Sequence, residues 1–253
     1  MIDYKSEFTG KIVWVTGGTS GIGLKICEDM CSYGAIVITN FAKNEAAAKK
    51  CTQELQSKGY SFDVLQADIS SEDGVLRVVE YIQNKYNKLD YLVNNAGIGD
   101  NGSLENTTSE LFDRVMKVNL YGKFYSIKHC KQLLLKSTCP AVVNISSRLG
   151  LCVSENYLAY SCAAAGVINL TKSAATELAK SGIRVNCISP SMTITPMVTS
   201  KTPKEDLEKW AALNPLHRLG EVRDMSSLVM WLLSEDSFYI NGENVNINGG
   251  RCV

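Results

Sequence analysis

The chain has no surplus of charge: 26 Lys and Arg offset 26 Asp and Glu. Without a basic excess, neither nucleic acid nor an anionic membrane is expected as a partner. Histidine is scarce, with two residues in 253. The nine cysteines stand at 27, 31, 51, 130, 139, 152, 162, 187 and 252, and none forms a Cys-x-x-Cys pair. Cys27 and Cys31 are one helical turn apart, but no second pair completes a ligand set, so no metal site is expected. The cysteines read as reduced, mostly buried thiols of a cytoplasmic protein. No apolar run approaches the roughly 18 residues of a membrane span. Met1 to Phe8 are polar and mixed in charge, unlike a secretory signal.

What is present is a regular alternation. Short, β-branched, almost continuously apolar runs fall at Lys11–Thr16, Ala35–Thr39, Phe62–Gln66, Leu89–Val93, Ala141–Ser146, Ile183–Ser189 and Asn244–Ile247. Such runs suit strands covered on both faces. Between them, amphipathic patterns predict helices over Gly21–Tyr33, Glu45–Lys58, Ser71–Tyr86, Ser109–Lys136, Ser154–Ser181 and Val222–Ser234. Strict β-α-β order implies a doubly wound, Rossmann-type α/β fold: a parallel seven-stranded sheet with helices on both faces. No linker, repeat or low-complexity tract divides residues 1–253, so one domain is expected. Pro190 to Lys209 is the one long irregular stretch, and the region of about 190–212 reads as a substrate loop or lid.

The first strand runs into Thr16-Gly17-Gly18-Thr19-Ser20-Gly21-Ile22-Gly23, and a helix follows. Gly17 permits the tight turn, Gly21 lets a pyrophosphate approach the backbone, and Gly23 lets helix pack close to strand. The helix N-terminus adds N–H donors and a positive dipole end. Position after the first strand and before a helix is the context that makes a glycine-rich turn a dinucleotide site.

Thr16-Gly-x-x-x-Gly-Ile-Gly23 resembles the fingerprint of the short-chain dehydrogenases/reductases. More of the chain agrees in order: Asp68 at the end of the third strand, Asn94-Asn95-Ala96-Gly97 after the fourth, and Asn119 in the next helix. Ser147 ends the fifth strand, Tyr160 follows, Pro190 and Thr195 come after the sixth strand, and the tail carries Asn248-Gly249-Gly250. Within the family, the second-strand region Val37–Glu45 is most similar to bacterial 3-oxoacyl-carrier-protein reductases. The resemblance implies a cofactor-binding set of Gly17, Thr19, Ser20, Gly21, Ile22, Gly23, Asn40, Phe41, Lys43, Asp68, Ile69, Asn95, Ala96, Gly97, Pro190, Thr193 and Thr195. It also implies a homotetramer built on the helices Ser109–Lys136 and Ser154–Ser181.

An acidic residue after the second strand would accept the ribose 2′-hydroxyl and repel a 2′-phosphate. Here Asn40 and Phe41 occupy that place, and Lys43 stands near enough to pair with the phosphate. Against this, family members that use NADP often carry Arg or Lys where this chain has Ser20. NADP(H) is the favoured cofactor and NAD(H) the alternative.

The resemblance makes Tyr160 the general acid/base and Ser147 the donor that holds the carbonyl oxygen. Asn119 organises a water that links a lysine to solvent. Ser146 is the adjacent alternative, but the thirteen-residue spacing to Tyr160 and the Ser-x-x-Gly150 pattern select Ser147. The family's lysine, four residues after the tyrosine, is Ala164 here. Lys172 lies about 18 Å from Tyr160 along the helix and roughly 120° around it, too far to substitute. A phenol titrates near pH 10, so loss of the neighbouring cation predicts a slow reductase with an intact cofactor cradle. Ala164 fits a laboratory substitution, as the otherwise ordinary surroundings suggest, or equally a natural change of chemistry, as Ser191 suggests where the family usually has glycine. Arg148, His129 and His217 read as surface or loop residues, and Trp210 as a substrate cover or a core residue. The basic residue that carrier-protein reductases present beside the site corresponds to Ser181, so a docking patch is not clearly reproduced.

The sequence therefore predicts reduction of a carbonyl on a small-molecule or carrier-tethered substrate. The alternatives are altered chemistry on the same fold (dehydration, isomerisation, cyclisation or reduction of another double bond) and a non-catalytic cofactor-binding subunit.

Overall fold

Asp3 opens the described chain by capping a short helix. Its carboxylate accepts from the Lys5 and Ser6 amides, and the turn α1 (Tyr4–Phe8) buries Phe8 against Tyr91. The computed structural model describes residues 3–99 and 102–251; Cys252 lies outside them. There follow β1 (Ile12–Thr16), α2 (Gly21–Ser32), β2 (Ile36–Phe41), α3 (Glu45–Ser57), β3 (Phe62–Gln66), α4 (Glu72–Tyr86) and β4 (Tyr91–Asn94). The second half holds α5 (Ser109–Met116), α6 (Gly122–Leu134), β5 (Ala141–Ile145), α7 (Leu158–Leu178), β6 (Arg184–Pro190), α8 (Pro196–Thr199), α9 (Lys204–Ala212), α10 (Val222–Leu233) and β7 (Asn244–Ile247).

All seven strands lie in one parallel sheet of order β3-β2-β1-β4-β5-β6-β7. Alternation along β1 divides the core. Val13 and Val15 pack with α2, α3 and α10, whereas Ile12 and Trp14 pack with α4, α6 and α7. Strand order reverses between β1 and β4, and a crevice at the carboxyl ends of those two strands is where such sheets bind ligands.

Four departures from the sequence reading have local causes. β2 runs two residues past Thr39, because Asn40 and Phe41 pair with Leu65 and Gln66. The helix expected over Ser109–Lys136 is interrupted by a π-helical turn, Lys117–Tyr121, that carries Asn119. α7 starts at Leu158 rather than Ser154, since Asn156 sits at φ +64°, outside the helical region. The irregular stretch after Pro190 contains two helices. Thr195-Pro196 starts α8 with proline at its first position, and Glu205 and Asp206 in the first turn of α9 meet the positive end of its dipole. The expectation that every cysteine is a free thiol is also corrected. Cys152 is disulfide-bonded, while Cys27, Cys31, Cys51, Cys130, Cys139, Cys162 and Cys187 are free.

One buried cation holds the sheet to its last long helix. Arg184, at the start of β6 and 5% exposed, donates to the carbonyls of Leu232 (2.9 Å), Leu233 (3.2 Å), Ser234 (3.1 Å) and Ser237 (3.2 Å). Leu232, Leu233 and Ser234 lie at the end of α10, at the negative end of its dipole, and Ser237 lies in the turn that follows. Leu232 and Ser234 also accept from Ser237 Oγ, and Ser237 from the Ile240 amide, so Arg184→Met takes the partner chiefly from the Leu233 carbonyl and removes a buried five-donor group, at about 1–3 kcal/mol. A net loss of about 3 kcal/mol is expected, read as a lower urea midpoint with unchanged slope.

Candidate functional site

The glycine turn is pinned from below by two threonines. Thr39 Oγ1 donates to the Val15 carbonyl (2.6 Å) and accepts from the Gly18 amide (2.7 Å). Thr16 Oγ1 accepts from the Asn95 and Ala96 amides, each at 3.0 Å, and ties the end of β1 to the turn after β4. Asn95 returns the tie: its side-chain amide donates to the carbonyls of Thr16 (3.0 Å) and Gly17 (3.2 Å). The glycines are required by this packing. Gly17 has φ +65°, and a Cβ there would stand 2.9 Å from the Ala96 Cβ. A Cβ on Gly23 would stand 2.7 Å from the Gly17 carbonyl and strike the Asn95 amide. Ser20, at the N-cap of α2, makes no side-chain capping bond. The first amides of that helix are therefore left for an anion. A backbone cradle with no room for Cβ atoms and an uncapped helix end suits a pyrophosphate.

Thr19 is buried within the turn, and Ile22 starts α2 behind it. The segment after β6 folds over this turn. Thr195 comes within 3.5 Å of where a Gly21 Cβ would be, and Met197 approaches Gly99. Pro190 ends β6, and Thr193 is buried, its hydroxyl donating to the Ser191 carbonyl (3.0 Å). On the other side of β1, Asn40 is spent inside the fold. Its side-chain oxygen accepts from the Trp14 indole (3.1 Å), and its amide donates to the Ala67 carbonyl (2.9 Å). The Asn40 side chain therefore faces the core, which leaves Phe41 at the strand end and the exposed Lys43 to meet a ribose or its phosphate. Asp68 lies two residues past the end of β3, exposed, its carboxylate accepting from Ser70 (2.9 Å); Ile69 packs beneath it on Gly122.

Across the crevice, Ser147 begins a turn (Arg148–Gly150) two residues after β5. Its Oγ accepts from the Leu149 amide (3.2 Å), so the hydroxyl hydrogen is available to an incoming oxygen. Gly150 lets this turn lie directly on α7, where an added Cβ would stand 2.7 Å from the Ala164 carbonyl carbon. Ser146 secures the same junction by donating to the Ala164 carbonyl (2.8 Å). Ser146 is therefore spent on the backbone and Ser147 is the available hydroxyl. Tyr160 sits one helical turn before Ala164, half-buried against Val115, Ala159 and Ala163. Ala164 is buried, and Lys172 is exposed further along the helix.

The Asn119 side chain is turned to the loop after β4. Both ends of its side-chain amide grip one residue, accepting from the Ile98 amide (2.8 Å) and donating to the Ile98 carbonyl (2.9 Å). The side chain thus shapes the loop after Gly97, and any water it orders would be held by backbone. The π-turn shifts the helical hydrogen-bond register there, a distortion frequent at functional sites. One turn on, Lys123 is 2% exposed and donates to the Ala96 carbonyl (2.8 Å). Burial pushes its ammonium down to about 8. Sequence reading missed Lys123; the signal was a lysine four residues after Asn119, on the same helical face. Arg148 is half-buried with a guanidinium nitrogen 3.9 Å from the Cys152 sulfur, and His129 pairs with Glu72 (2.6 Å). His217 is exposed at φ +52°, and the Trp210 carbonyl accepts from Arg251 (3.1 Å).

Fold, switch-point crevice and glycine cradle define a dinucleotide-dependent oxidoreductase of the Rossmann type. Residues 17–251 match the family model described as Enoyl-(Acyl carrier protein) reductase. The chain belongs to the short-chain dehydrogenase/reductase family, and it is an NAD(P)-dependent oxidoreductase. It is similar to the 3-oxoacyl-[acyl-carrier-protein] reductase FabG of Staphylococcus aureus, 33% identical over 243 residues that span 96% of this chain and 98% of that protein. FabG of Thermotoga maritima is 33% identical over 244 residues, with 96% and 98% covered. Among solved structures, gox2181 superposes with a TM-score of 0.93 at 28% identity over 99% of both chains. The ligand-free aldohexose dehydrogenase AldT of Thermoplasma acidophilum gives 0.86 at 29% identity, covering 96% of this chain and 94% of that one. No helix among the described residues is long and apolar enough to cross a membrane.

Proposed function

We propose that this protein is a cytoplasmic, NADP(H)-dependent carbonyl reductase acting on a small or carrier-tethered 3-oxo substrate, and that it is slow for its family. The observation that carries the reading is the Gly150–Ala164 contact. It holds the free Ser147 hydroxyl on the helix that presents Tyr160, beside the glycine cradle. The similarity to FabG proteins supports a 3-oxoacyl-type substrate.

When bound, the dinucleotide supplies a hydride. Ser147 donates a hydrogen bond to the substrate oxygen and makes its carbon more electrophilic. The Tyr160 phenol gives its proton to that oxygen as charge develops. Asn119 and Asn95 keep the loop and turn after β4 in place. Ala164 offers neither a cation nor a donor. The segment 190–212 closes over the substrate, its α8 end already resting on the glycine turn. Residues 1–253 act as one dinucleotide-binding domain, assembled as a homotetramer through α5–α6 and α7; gel filtration checks the assembly. Turnover of a 3-oxoacyl thioester with NADPH, followed by nicotinamide absorbance, tests the activity, and cofactor binding without any turnover would reject it.

Lys43 sets the cofactor preference. Lys43→Ala is expected to weaken NADPH binding about fivefold, the size of a single partly exposed ion pair, and to leave NADH unchanged. Fluorescence titration with both dinucleotides checks this; an equal effect on the two would remove Lys43 from the 2′-phosphate site.

A further inference from the structure

A lysine with almost no exposed surface is costly unless the fold uses it. Lys123 has one hydrogen bond, to the Ala96 carbonyl, and no ion pair among the described residues. Ala96 lines the switch-point crevice, facing Gly17 across the space that admits no Cβ. The ammonium therefore stands one peptide group behind the crevice wall. The titratable group that faces it is Cys187 of β6, buried and kept a thiol by desolvation. Cys187 also neighbours Ser146 and Thr171. Ser146 in turn donates to the Ala164 carbonyl, so Cys187 and Ser146 link Lys123 to the position that lacks a lysine.

We propose that Lys123 is a positioning residue of the reductase. Its buried ammonium holds the Asn95–Ile98 turn against the dinucleotide crevice and supplies from α6 the positive charge that α7 lacks at Ala164. The inference rests on the carbonyl-reductase reading. Asn119 grips Ile98 and Lys123 grips Ala96, so two successive turns of one helix face fix both ends of the short segment that meets the cofactor. In a water-excluded interior the charge acts far more strongly than on the surface. It favours the electron-rich groups gathered in the crevice, the dinucleotide phosphates and the tyrosine oxygen.

Two variants separate charge from hydrogen bonding. Lys123→Met removes both, and Lys123→Gln keeps a donor for the Ala96 carbonyl. For each variant, kcat, KM and dinucleotide affinity would be measured from pH 6 to 10, with the melting midpoint of the dinucleotide-free protein. Both variants are expected to lose at least tenfold in kcat below about pH 8, with KM little changed. The deficit should shrink above about pH 8, where Lys123 of the parent protein is itself neutral. The parent's melting midpoint, relative to Lys123→Met, should rise between about pH 8 and 10.5. There the unfolded chain holds a proton that the folded lysine has released. Ala164→Lys in the Lys123→Met background is expected to restore turnover. A kcat ratio to the parent that does not vary with pH, or Lys123→Gln behaving as the parent, would overturn the proposal and leave the reductase reading intact. A parent protein that binds NADPH but transfers no hydride would overturn both.

Discussion

Tyr160→Phe is expected to lower carbonyl reduction by roughly 10²–10⁴-fold, the value of a positioned acid/base, and to leave dinucleotide affinity within about twofold. The ring of Tyr160 packs on Val115, Ala159 and Ala163, and phenylalanine preserves that packing. Only the proton donor is lost. The pyrophosphate cradle depends on Gly17, Gly23, Thr39 and Asn95, none of which involves α7. Steady-state kinetics and a fluorescence titration on the same preparation separate the two effects. If Tyr160→Phe kept the parental rate, the proton would come from another group, and the assignment of Ser147 and Tyr160 as a pair would fall with it.

Ala164→Lys is expected to act in the opposite direction, raising kcat about tenfold or more. Position 164 is one turn from Tyr160 on the same helical face. A cation beside a phenol lowers its pKa by about one to three units, so the pH profile of the reverse reaction, which needs phenolate, should move to lower pH. The gain should fall short of the full acid/base factor, because Lys123 already contributes charge from α6. The side chain must leave a buried position whose carbonyl is held by Ser146. A melting curve is therefore needed beside the kinetics. Unchanged kcat in a well-folded Ala164→Lys would mean that the missing lysine does not limit this enzyme.

Much of this was legible in the sequence because the signals were local. Four apolar residues and a threonine in a row, as in Ile12–Thr16, have one outcome when helices cover both faces of a sheet. The glycine turn was legible because its signature lies within eight consecutive residues, although the contacts that require Gly17 and Gly23 include the distant Ala96 and Asn95. What was not legible depended on distant partners. The bonds that turn the Asn40 side chain to Trp14 and Ala67 join residues far apart in the chain. The grip of the Asn119 side chain on the backbone of Ile98 could not be read from spacing. The π-turn at Lys117–Tyr121 left no periodicity break strong enough to divide the apolar pattern of α5 and α6. Lys123 read as one more helical lysine, since burial of a charge is decided by neighbours in the turn after β4 and on β6 that sequence spacing does not bring together. Helices α8 and α9 carried Thr-Pro and Pro-Lys-Glu-Asp start signals, but each is short and lies in a segment otherwise rich in loop residues.

The account is tested most directly by a single-turnover reaction of the unaltered protein with NADPH deuterated at the transferable position of the nicotinamide and a 3-oxoacyl thioester. It predicts slow formation of the 3-hydroxy product with deuterium at the carbinol carbon, at a rate that Tyr160→Phe all but abolishes. Tight NADPH binding with no deuterium in any product would contradict it.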